Sequence, residues 1–397
     1  MHAGTKIRGE TAKRLTPGQE LALLRAAFAS NPSQLLRVRV ASLLNQADAF
    51  DETIALLGAE SDLAFGETML LVHALLARET NEANVRACAV AQRAVALAAD
   101  DRQRGAALAD LAKAQVRVED PAARETLVEA LRFDPHNKNA CKRLASFYLR
   151  RGDPHAVIAM LDGLSAQGVG HSRLFAAQSL ALARIGEIDS ARAVVGIEQF
   201  QRNERLAPPP GWNSIAEFNA ALARELSEHP DLRFDRYGTA SEQTWRLDAI
   251  TSRSSPLVSA LFAQIGEIVG RYIEQVARID HPWARSRPAV CTLHGWCVMT
   301  DGSGYETWHV HQFGWLSGSY YVSVPDSIAH GTEMGGCIAF GLPDDLAGPE
   351  AIRAFGERLV RPQAGVAILF PSHVHHRTYP HRTRERRICV AFDLQPE

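Results

Sequence analysis

The sequence lacks a long apolar run, a strong excess of charge and any closely spaced pair of cysteines. No stretch approaches about eighteen consecutive apolar residues, so no membrane-spanning helix is expected. The formal net charge of −2 over 397 residues gives no global attraction to nucleic acids or anionic membranes. The six cysteines form no Cys-x-x-Cys motif, which argues against a zinc site or a disulfide framework and favours reduced, buried thiols.

The first residues also lack an apolar segment behind their basic side chains. No secretory signal is therefore expected, and the expected location is the cytoplasm. The 46% hydrophobic and 22% charged fractions are those of an ordinary globular protein, and the length predicts two or three domains.

Residues 18–205 contain few aromatic residues and are rich in Ala, Leu, Arg and Glu, with apolar side chains at helical spacing. Gly152 and Gly186 lie 34 residues apart. The similar segments 54–57 and 158–161 lie 104 apart, close to three such periods. This pattern resembles the tetratricopeptide (TPR) helix-turn-helix repeat, which implies an all-α solenoid whose stacked repeats bind a protein or peptide. A helical bundle without repeats remains the alternative.

Composition changes after the run Leu206-Ala207-Pro208-Pro209-Pro210-Gly211, which no helix accommodates and which predicts a domain boundary. Two amphipathic helices are predicted behind it, at 213–227 and 255–276. Alternating β-branched and aromatic residues then predict strands at 291–300, 306–311, 319–324, 336–340, 365–370 and 387–394. The predicted fold class is α+β in two domains, with a jelly roll or double-stranded β-helix and flanking helices over 209–397.

Two histidines in Trp308-His309-Val310-His311 stand two residues apart. In an extended strand residues i and i+2 point the same way, so both side chains can bind one ion. A third histidine from the return motif Phe370-Pro371-Ser372-His373-Val374-His375-His376 would complete one face of a coordination sphere and leave the rest open, as non-haem Fe(II) oxygenases require. With fifteen histidines in the chain, a chance His-x-His is the alternative.

Further motifs follow in a fixed order: Leu316-Ser317-Gly318-Ser319-Tyr320-Tyr321-Val322, Phe370-Pro371-Ser372, His376, Arg387 and Phe392-Asp393. Together with the histidine pair they resemble a bacterial branch of the 2-oxoglutarate- and Fe(II)-dependent oxygenase superfamily. The chain departs from the family pattern at two positions. Asp393 stands where relatives have Asn, and His311 stands where the wider superfamily places the Asp of its His-x-Asp motif.

The resemblance implies a ligand set of His309, His311 and His376, with a water in place of His311 as the alternative. It also implies that Arg387 binds the distal carboxylate of 2-oxoglutarate and that Tyr321 lines the cosubstrate pocket, with no catalytic residue beyond the metal centre. Arg386 should point to the opposite strand face from Arg387, and Tyr320 to the opposite face from Tyr321. We do not expect three nearby residues to be metal ligands. Glu306 should lie on the opposite face of the strand from His309, and His373 and His375 should have packing or surface roles.

The function implied by the resemblance is that of a dioxygenase that uses Fe(II) and 2-oxoglutarate to hydroxylate a C–H bond. The substrate would be a small molecule, or a protein or peptide recruited by the helical repeats. A cupin-type metalloprotein is one alternative, but the glutamate it needs four or five residues after the His-x-His is replaced by Trp315 or Leu316. The other alternative is a non-enzymatic repeat scaffold with a degenerate barrel.

Overall fold

The computed structural model describes residues 5–9, 15–58, 62–250 and 255–397. Its first part is helical and consists of β1 (Lys6–Gly9), α1 (Pro17–Ser30), α2 (Gln34–Gln46), α3 (Phe50–Gly58), α4 (Phe65–Ala77), α5 (Asn81–Leu97), α6 (Asp101–Arg117), α7 (Ala123–Phe133), α8 (Lys138–Arg150), α9 (Pro154–Ala166), α10 (Ser172–Arg184), α11 (Ile188–Val195) and α12 (Ile197–Phe200).

The second part is mostly strands: β2 (Arg202–Arg205), α13 (Ile215–Ser227), β3 (Arg233–Phe234), β4 (Ser241–Glu242), β5 (Trp245–Leu247), α14 (Pro256–Val276), α15 (Pro282–Arg285), β6 (Val290–Thr300), β7 (Tyr305–Glu306), β8 (Leu316–Ser323), α16 (Asp326–Ala329), β9 (Ile338–Phe340), α17 (Asp344–Ala347), α18 (Pro349–Phe355), β10 (Arg358–Val360), β11 (Val366–Pro371), β12 (His376–Thr378) and β13 (Arg387–Pro396). No helix in the described ranges has the length and apolar character needed to span a membrane.

The chain divides into two compact units. The helical unit consists of Arg14–Gly152 and Asp162–Val169, and the sheet unit of Met1–Lys13, Asp153–Leu161 and Gly170–Glu397. The sheet unit thus takes in α10 to α12 and β2, which precede the proline run. The domain limits 18–205 and 209–397 remain a prediction from the sequence.

Within the helical unit each helix from α1 to α8 packs on the next. Short polar side chains cap the helix starts: Ser33 accepts from the Leu36 N–H, and Asn137 accepts from the Ala140 N–H. Many interface side chains are small, among them Ala87 of α5, which is fully buried. Small side chains let neighbouring helices approach closely, as the alanine-rich composition predicts.

The helices recur with the period read from the sequence. α8 and α10 begin at residues 138 and 172, and α9 and α11 at 154 and 188, so both members of the pair repeat after 34 residues. The turns between them contain Gly152 at φ 74° and Gly186 at φ 87°. L-residues with a side chain rarely adopt these angles, which explains the glycines at this spacing. The prediction of N-terminal helical repeats is confirmed.

Three sheets form among the described residues of the sheet unit. The largest has eight strands in the order β2-β11-β8-β13-β6-β5-β3, with β1 joined in parallel to β6. The others are β10-β9-β12 and β4-β7, and every pairing besides β1–β6 is antiparallel. The α+β class with helices followed by an antiparallel sheet is therefore confirmed.

A hydrophobic cluster of this unit joins the eight-stranded and the three-stranded sheet. The larger sheet contributes Tyr321, Phe370 and Cys389, and the smaller contributes Ile338 and Phe340. Phe340 and Phe370 meet edge to face at 5.0 Å between ring centroids. Aromatic pairs of this geometry add about 0.5–1.5 kcal/mol beyond the apolar area they bury. The two sheets are thereby held at a fixed separation beside the return motif.

Two tryptophans support the chain just after the histidine pair. Trp283 of α15 and Trp315 stack with ring centroids 4.5 Å apart and planes 9° apart. The Nε1–H of Trp283 donates to the Trp315 carbonyl at 2.8 Å, and that of Trp315 donates to the Trp283 carbonyl at 3.0 Å. The same Trp315 carbonyl accepts from the N–H of Ser372 in the return motif. The pair therefore joins both histidine-bearing segments to the helix.

Trp283→Phe should lower the free energy of unfolding by about 1–3 kcal/mol, because it removes a buried hydrogen bond and part of the stacked area. Urea unfolding followed by far-UV circular dichroism measures this. Trp212→Phe is the control, since Trp212 is half-buried and packs against Phe218 near the start of α13. Equal losses in the two variants would contradict the special role of the stacked pair.

Candidate functional site

The His-x-His segment is held by backbone pairing to the return motif. His309 and His376 exchange two backbone hydrogen bonds of 3.0 Å each and form an isolated antiparallel bridge. The N–H of His311 then donates to the Ser372 carbonyl at 3.0 Å. The strand predicted over 306–311 is wrong in extent, because regular pairing ends with β7 at Glu306 and the chain turns after His311, where the Gly314 N–H bonds back to the His311 carbonyl.

The three histidines nevertheless converge. Their possible ligand atoms, one from each of His309, His311 and His376, all lie within 4.8 Å of one another. The ring centroids of His309 and His376 are 4.1 Å apart, and that of His311 lies 5.3 and 5.0 Å from them. Such a cluster has the spacing and the donor type of a site for a divalent transition metal.

The hydrogen bonds that the Nδ1 atoms of His309 and His376 make indicate which ring nitrogen is available to a metal ion. Nδ1 of His309 lies 2.7 Å from the Thr307 carbonyl, and Nδ1 of His376 lies 3.0 Å from the Val374 carbonyl. A carbonyl oxygen only accepts, so both Nδ1 atoms carry the proton and Nε2 keeps a free lone pair. Metal-binding histidines are oriented in this way by their outer partners. The donor set therefore fits a metal such as Fe(II).

Burial keeps two of these rings neutral. Burial, followed by the neighbouring His311, lowers the pKa of His309 to about 3. Burial, followed by His309 and then His311, lowers the pKa of His376 well below its ordinary value. Neutral imidazole is the form that binds metal, so the lone pairs of these two rings are available at neutral pH.

His311 has a different partner. Its Nδ1 lies 2.5 Å from Oδ1 of Asp393, which is 5% exposed on β13. The hydroxyl of Ser317, directly opposite on β8, donates to the same oxygen at 2.7 Å. In the sequence, Asp393 stands out only as a departure from the family pattern. The sequence contains one indication that Asp393 contacts His311: both residues depart from the family pattern in the same chain.

Arg387 is the first residue of β13, and Arg386 directly precedes the strand; the two side chains have different surroundings. Arg387 is 2% exposed, its Nη1 donates to the Gly336 carbonyl at 2.8 Å, and its buried Nε has no partner among the described residues. Arg386 is partly exposed, with Asp301 at 3.5 Å and the ring of Trp245 beneath it. Arg387 is therefore the inward-facing arginine.

The two adjacent tyrosines divide in the same way. The Tyr320 hydroxyl donates to Asn219 Oδ1 of α13 at 2.7 Å. Tyr321 packs in the core between the sheets, opposite Cys389 in the strand register. Burial raises the pKa of Tyr321, while the positive charge of Arg387 acts in the opposite direction. Tyr321 and Arg387 thus share one side of the sheet.

Glu306 and His373 stand outside the cluster. The hydroxyl of Ser241 donates to Glu306 Oε1 at 2.6 Å, and burial raises the pKa of that carboxyl group. His373 donates through Nε2 to the Val194 carbonyl at 2.9 Å and packs against the ring of Phe175. Neither residue belongs to the convergent group of possible ligands, and their exclusion as metal ligands stays a prediction.

The aromatic side chain of Trp296 lies beside His311. The ring of Trp296 on β6 lies 5.4 Å from His311 and 5.9 Å from His294. The guanidinium of Arg246 lies 5.1 Å from the Trp296 ring. Trp296 is half-buried, so this wall of the site is in contact with solvent.

Residues 294–393 match the family model described as "Putative 2OG-Fe(II) oxygenase". The matched segment runs from β6 into β13 and contains the three histidines, Arg387 and Asp393. The oxygenase resemblance read from the sequence is confirmed for this segment. The same chain carries helical repeats in its N-terminal part. A comparison with curated protein sequences gives no match.

Several solved structures are similar to parts of the chain. A Pseudomonas putida prolyl-4-hydroxylase is 15% identical with a TM-score of 0.35, over 54% of this chain and 99% of that one. HygX from Streptomyces hygroscopicus, with nickel and 2-oxoglutarate bound, is 13% identical with a TM-score of 0.34, over 52% and 86%. YrrB, described as a TPR protein with an unusual peptide-binding site, is 15% identical with a TM-score of 0.34, over 43% and 91%.

His373, a buried histidine outside the cluster, makes stability depend on pH. Burial lowers the pKa of His373 to about 3, so between pH 6.5 and about 3 the unfolded chain binds a proton there that the folded protein does not. Stability therefore falls as the pH falls through this window, by up to about 1.4 kcal/mol per pH unit from this residue. His373→Phe should flatten the dependence, measured by urea unfolding at several pH values between about 4 and 7.

His136→Phe is the control for that measurement. His136 is exposed near the start of α8, so its replacement should leave the slope unchanged. Parallel pH curves for wild type and His373→Phe would contradict the assignment.

Proposed function

We propose that the protein is a 2-oxoglutarate- and Fe(II)-dependent dioxygenase that hydroxylates a C–H bond of a protein, peptide or small-molecule substrate. The observation that supports this most directly is the convergence of three histidines, each with its Nδ1 bound to an outer partner, inside the segment that matches the oxygenase family. Such an arrangement holds a metal on one face and leaves the other open.

In this proposal the side chains bind and orient, and the redox chemistry belongs to the bound groups. His309, His311 and His376 would hold the metal through Nε2. The chemistry that Fe(II) and 2-oxoglutarate would supply when bound is reduction of O2, in which one oxygen atom converts 2-oxoglutarate to succinate and CO2 and the other hydroxylates a C–H bond. The buried rings of Phe340 and Phe370 beside His376 exclude water from that side of the site.

Arg387 would bind the distal carboxylate of 2-oxoglutarate. A planar guanidinium binds a carboxylate through two parallel hydrogen bonds, and Arg387 is buried with one N–H still lacking a partner among the described residues. Tyr321, on the same side of the sheet, would line that pocket. A buried donor without an acceptor is costly, so the free Nε–H supports a ligand-binding role for this arginine.

The alternatives fit the structure less well. A cupin-type site would need a glutamate where Trp315 or Leu316 stands, and Trp315 is stacked on Trp283. A scaffold with a degenerate barrel does not explain three convergent histidines beside a buried arginine. We propose that the helical repeats recruit a protein or peptide substrate, and that the protein is active in the cytoplasm.

His376→Ala should abolish metal binding, because it removes one of three ligands. Loss of an outer partner of a ligand weakens metal affinity about 10–100-fold, and loss of the ligand itself should exceed this. The measurement is titration of the metal-free protein with Co(II) or Fe(II), paired with an assay of 2-oxoglutarate conversion to succinate. His373→Ala, a buried histidine three residues earlier, is the matched control. Full metal affinity in His376→Ala would show that a different residue is the ligand.

Arg387→Ala should raise the KM for 2-oxoglutarate about tenfold or more, because charge-assisted hydrogen bonds contribute about 1.5–3 kcal/mol and 1.4 kcal/mol is a factor of ten. Metal affinity without cosubstrate should change little. Arg386→Ala, the adjacent and partly exposed arginine, is the control. An equal rise in KM from Arg386→Ala alone would reverse the assignment of the two arginines.

A further inference from the structure

The metal site has no carboxylate among its three histidines, yet a carboxylate stands directly behind one of them. Oδ1 of Asp393 lies 2.5 Å from Nδ1 of His311, across the imidazole ring from Nε2. His309 and His376 have backbone carbonyls in the corresponding place. A carbonyl fixes the orientation of a ring, whereas a carboxylate also adds a negative charge and makes the ring a stronger base.

Asp393 is held in this position by its surroundings. The Ser317 hydroxyl donates to the same Oδ1, and the hydroxyls of Ser317 and Ser372 lie 2.7 Å apart. The backbone at Gly314 packs so closely that a side chain there would contact Ser372 and approach Cγ of Asp393 to 3.2 Å. Asp393 also lies within β13, which is paired on both edges with β6 and β8. The carboxylate therefore has one well-defined position.

We infer that Asp393 is a positioning residue that makes His311 a metal ligand and supplies the negative charge that a directly bound aspartate would otherwise contribute. His311 and Asp393 then act as one unit, with the imidazole on the metal and the carboxylate behind it. This inference rests on the proposed function. It removes the alternative of a site with two histidines and a water in place of His311.

The test measures metal affinity and not turnover. Asp393→Asn keeps the size and shape of the side chain and removes its charge, so Co(II) affinity of the full-length, metal-free protein should fall about 10–100-fold. The visible spectrum of bound Co(II) should change as well, because the ligand field depends on the basicity of His311. Unchanged affinity and spectrum would overturn the inference.

Two further variants separate charge from structure. Ser317→Ala removes the neutral donor to the same oxygen and should weaken Co(II) binding less than Asp393→Asn does. Glu67→Gln removes another buried carboxylate, one that binds Arg37 in the helical unit and not a histidine, and should leave Co(II) affinity unchanged. Equal losses in Asp393→Asn and Ser317→Ala would show that Asp393 acts through packing alone, which would also overturn the inference.

A measurement on the wild-type protein covers the case in which Asp393→Asn fails to fold. The proton on Nδ1 of His311 should give a strongly downfield proton resonance in the metal-free and the metal-loaded protein, assigned by its loss in His311→Ala. Absence of that proton in both states contradicts the inference. The result for the proposed function is read separately: wild type that binds no metal overturns both, whereas normal metal binding that is insensitive to Asp393 overturns the inference alone.

Discussion

The site depends on one pair of backbone hydrogen bonds, the exchange between His309 and His376. In an antiparallel bridge the two opposed residues place their side chains on the same side, which brings these two rings to 4.1 Å between centroids. The further bond from His311 to the Ser372 carbonyl adds the third ring. The convergence of the histidines therefore follows from pairing of the main chain.

That pairing is supported from both ends. On one side Trp315 and Trp283 stack and exchange hydrogen bonds, and the Trp315 carbonyl also accepts from Ser372, the residue whose carbonyl receives the His311 N–H. On the other side Phe340 and Phe370 fill the space between the two sheets next to His376. The tryptophan stack and the phenylalanine pair are both apolar contacts next to backbone hydrogen bonds. The site is therefore stabilised by the same kinds of interaction as the core.

The sequence predicted elements with a strong local signal and missed what depends on pairing between distant segments. The helices at 213–227 and 255–276 agree with the structure to within two residues, because their apolar periodicity and serine caps are local. The strand expected over 306–311 is only two residues long plus a bridge, since its extent is decided by a partner some 65 residues away. The bond between His311 and Asp393 joins residues 82 apart, and no local pattern could have indicated it.

Asp393 and Arg387 are buried charged side chains next to the site, and the protein satisfies their hydrogen-bonding groups to different extents. Asp393 meets His311 and Ser317 within hydrogen-bonding distance, so its negative charge is accommodated by the chain itself. Arg387 meets the Gly336 carbonyl through one nitrogen, while its buried Nε has no partner among the described residues. A buried donor without a partner costs free energy in the ligand-free protein, and an anion with two oxygens would recover that cost. The carboxylate is thus satisfied within the protein, whereas the guanidinium keeps a buried donor that the proposed cosubstrate would satisfy.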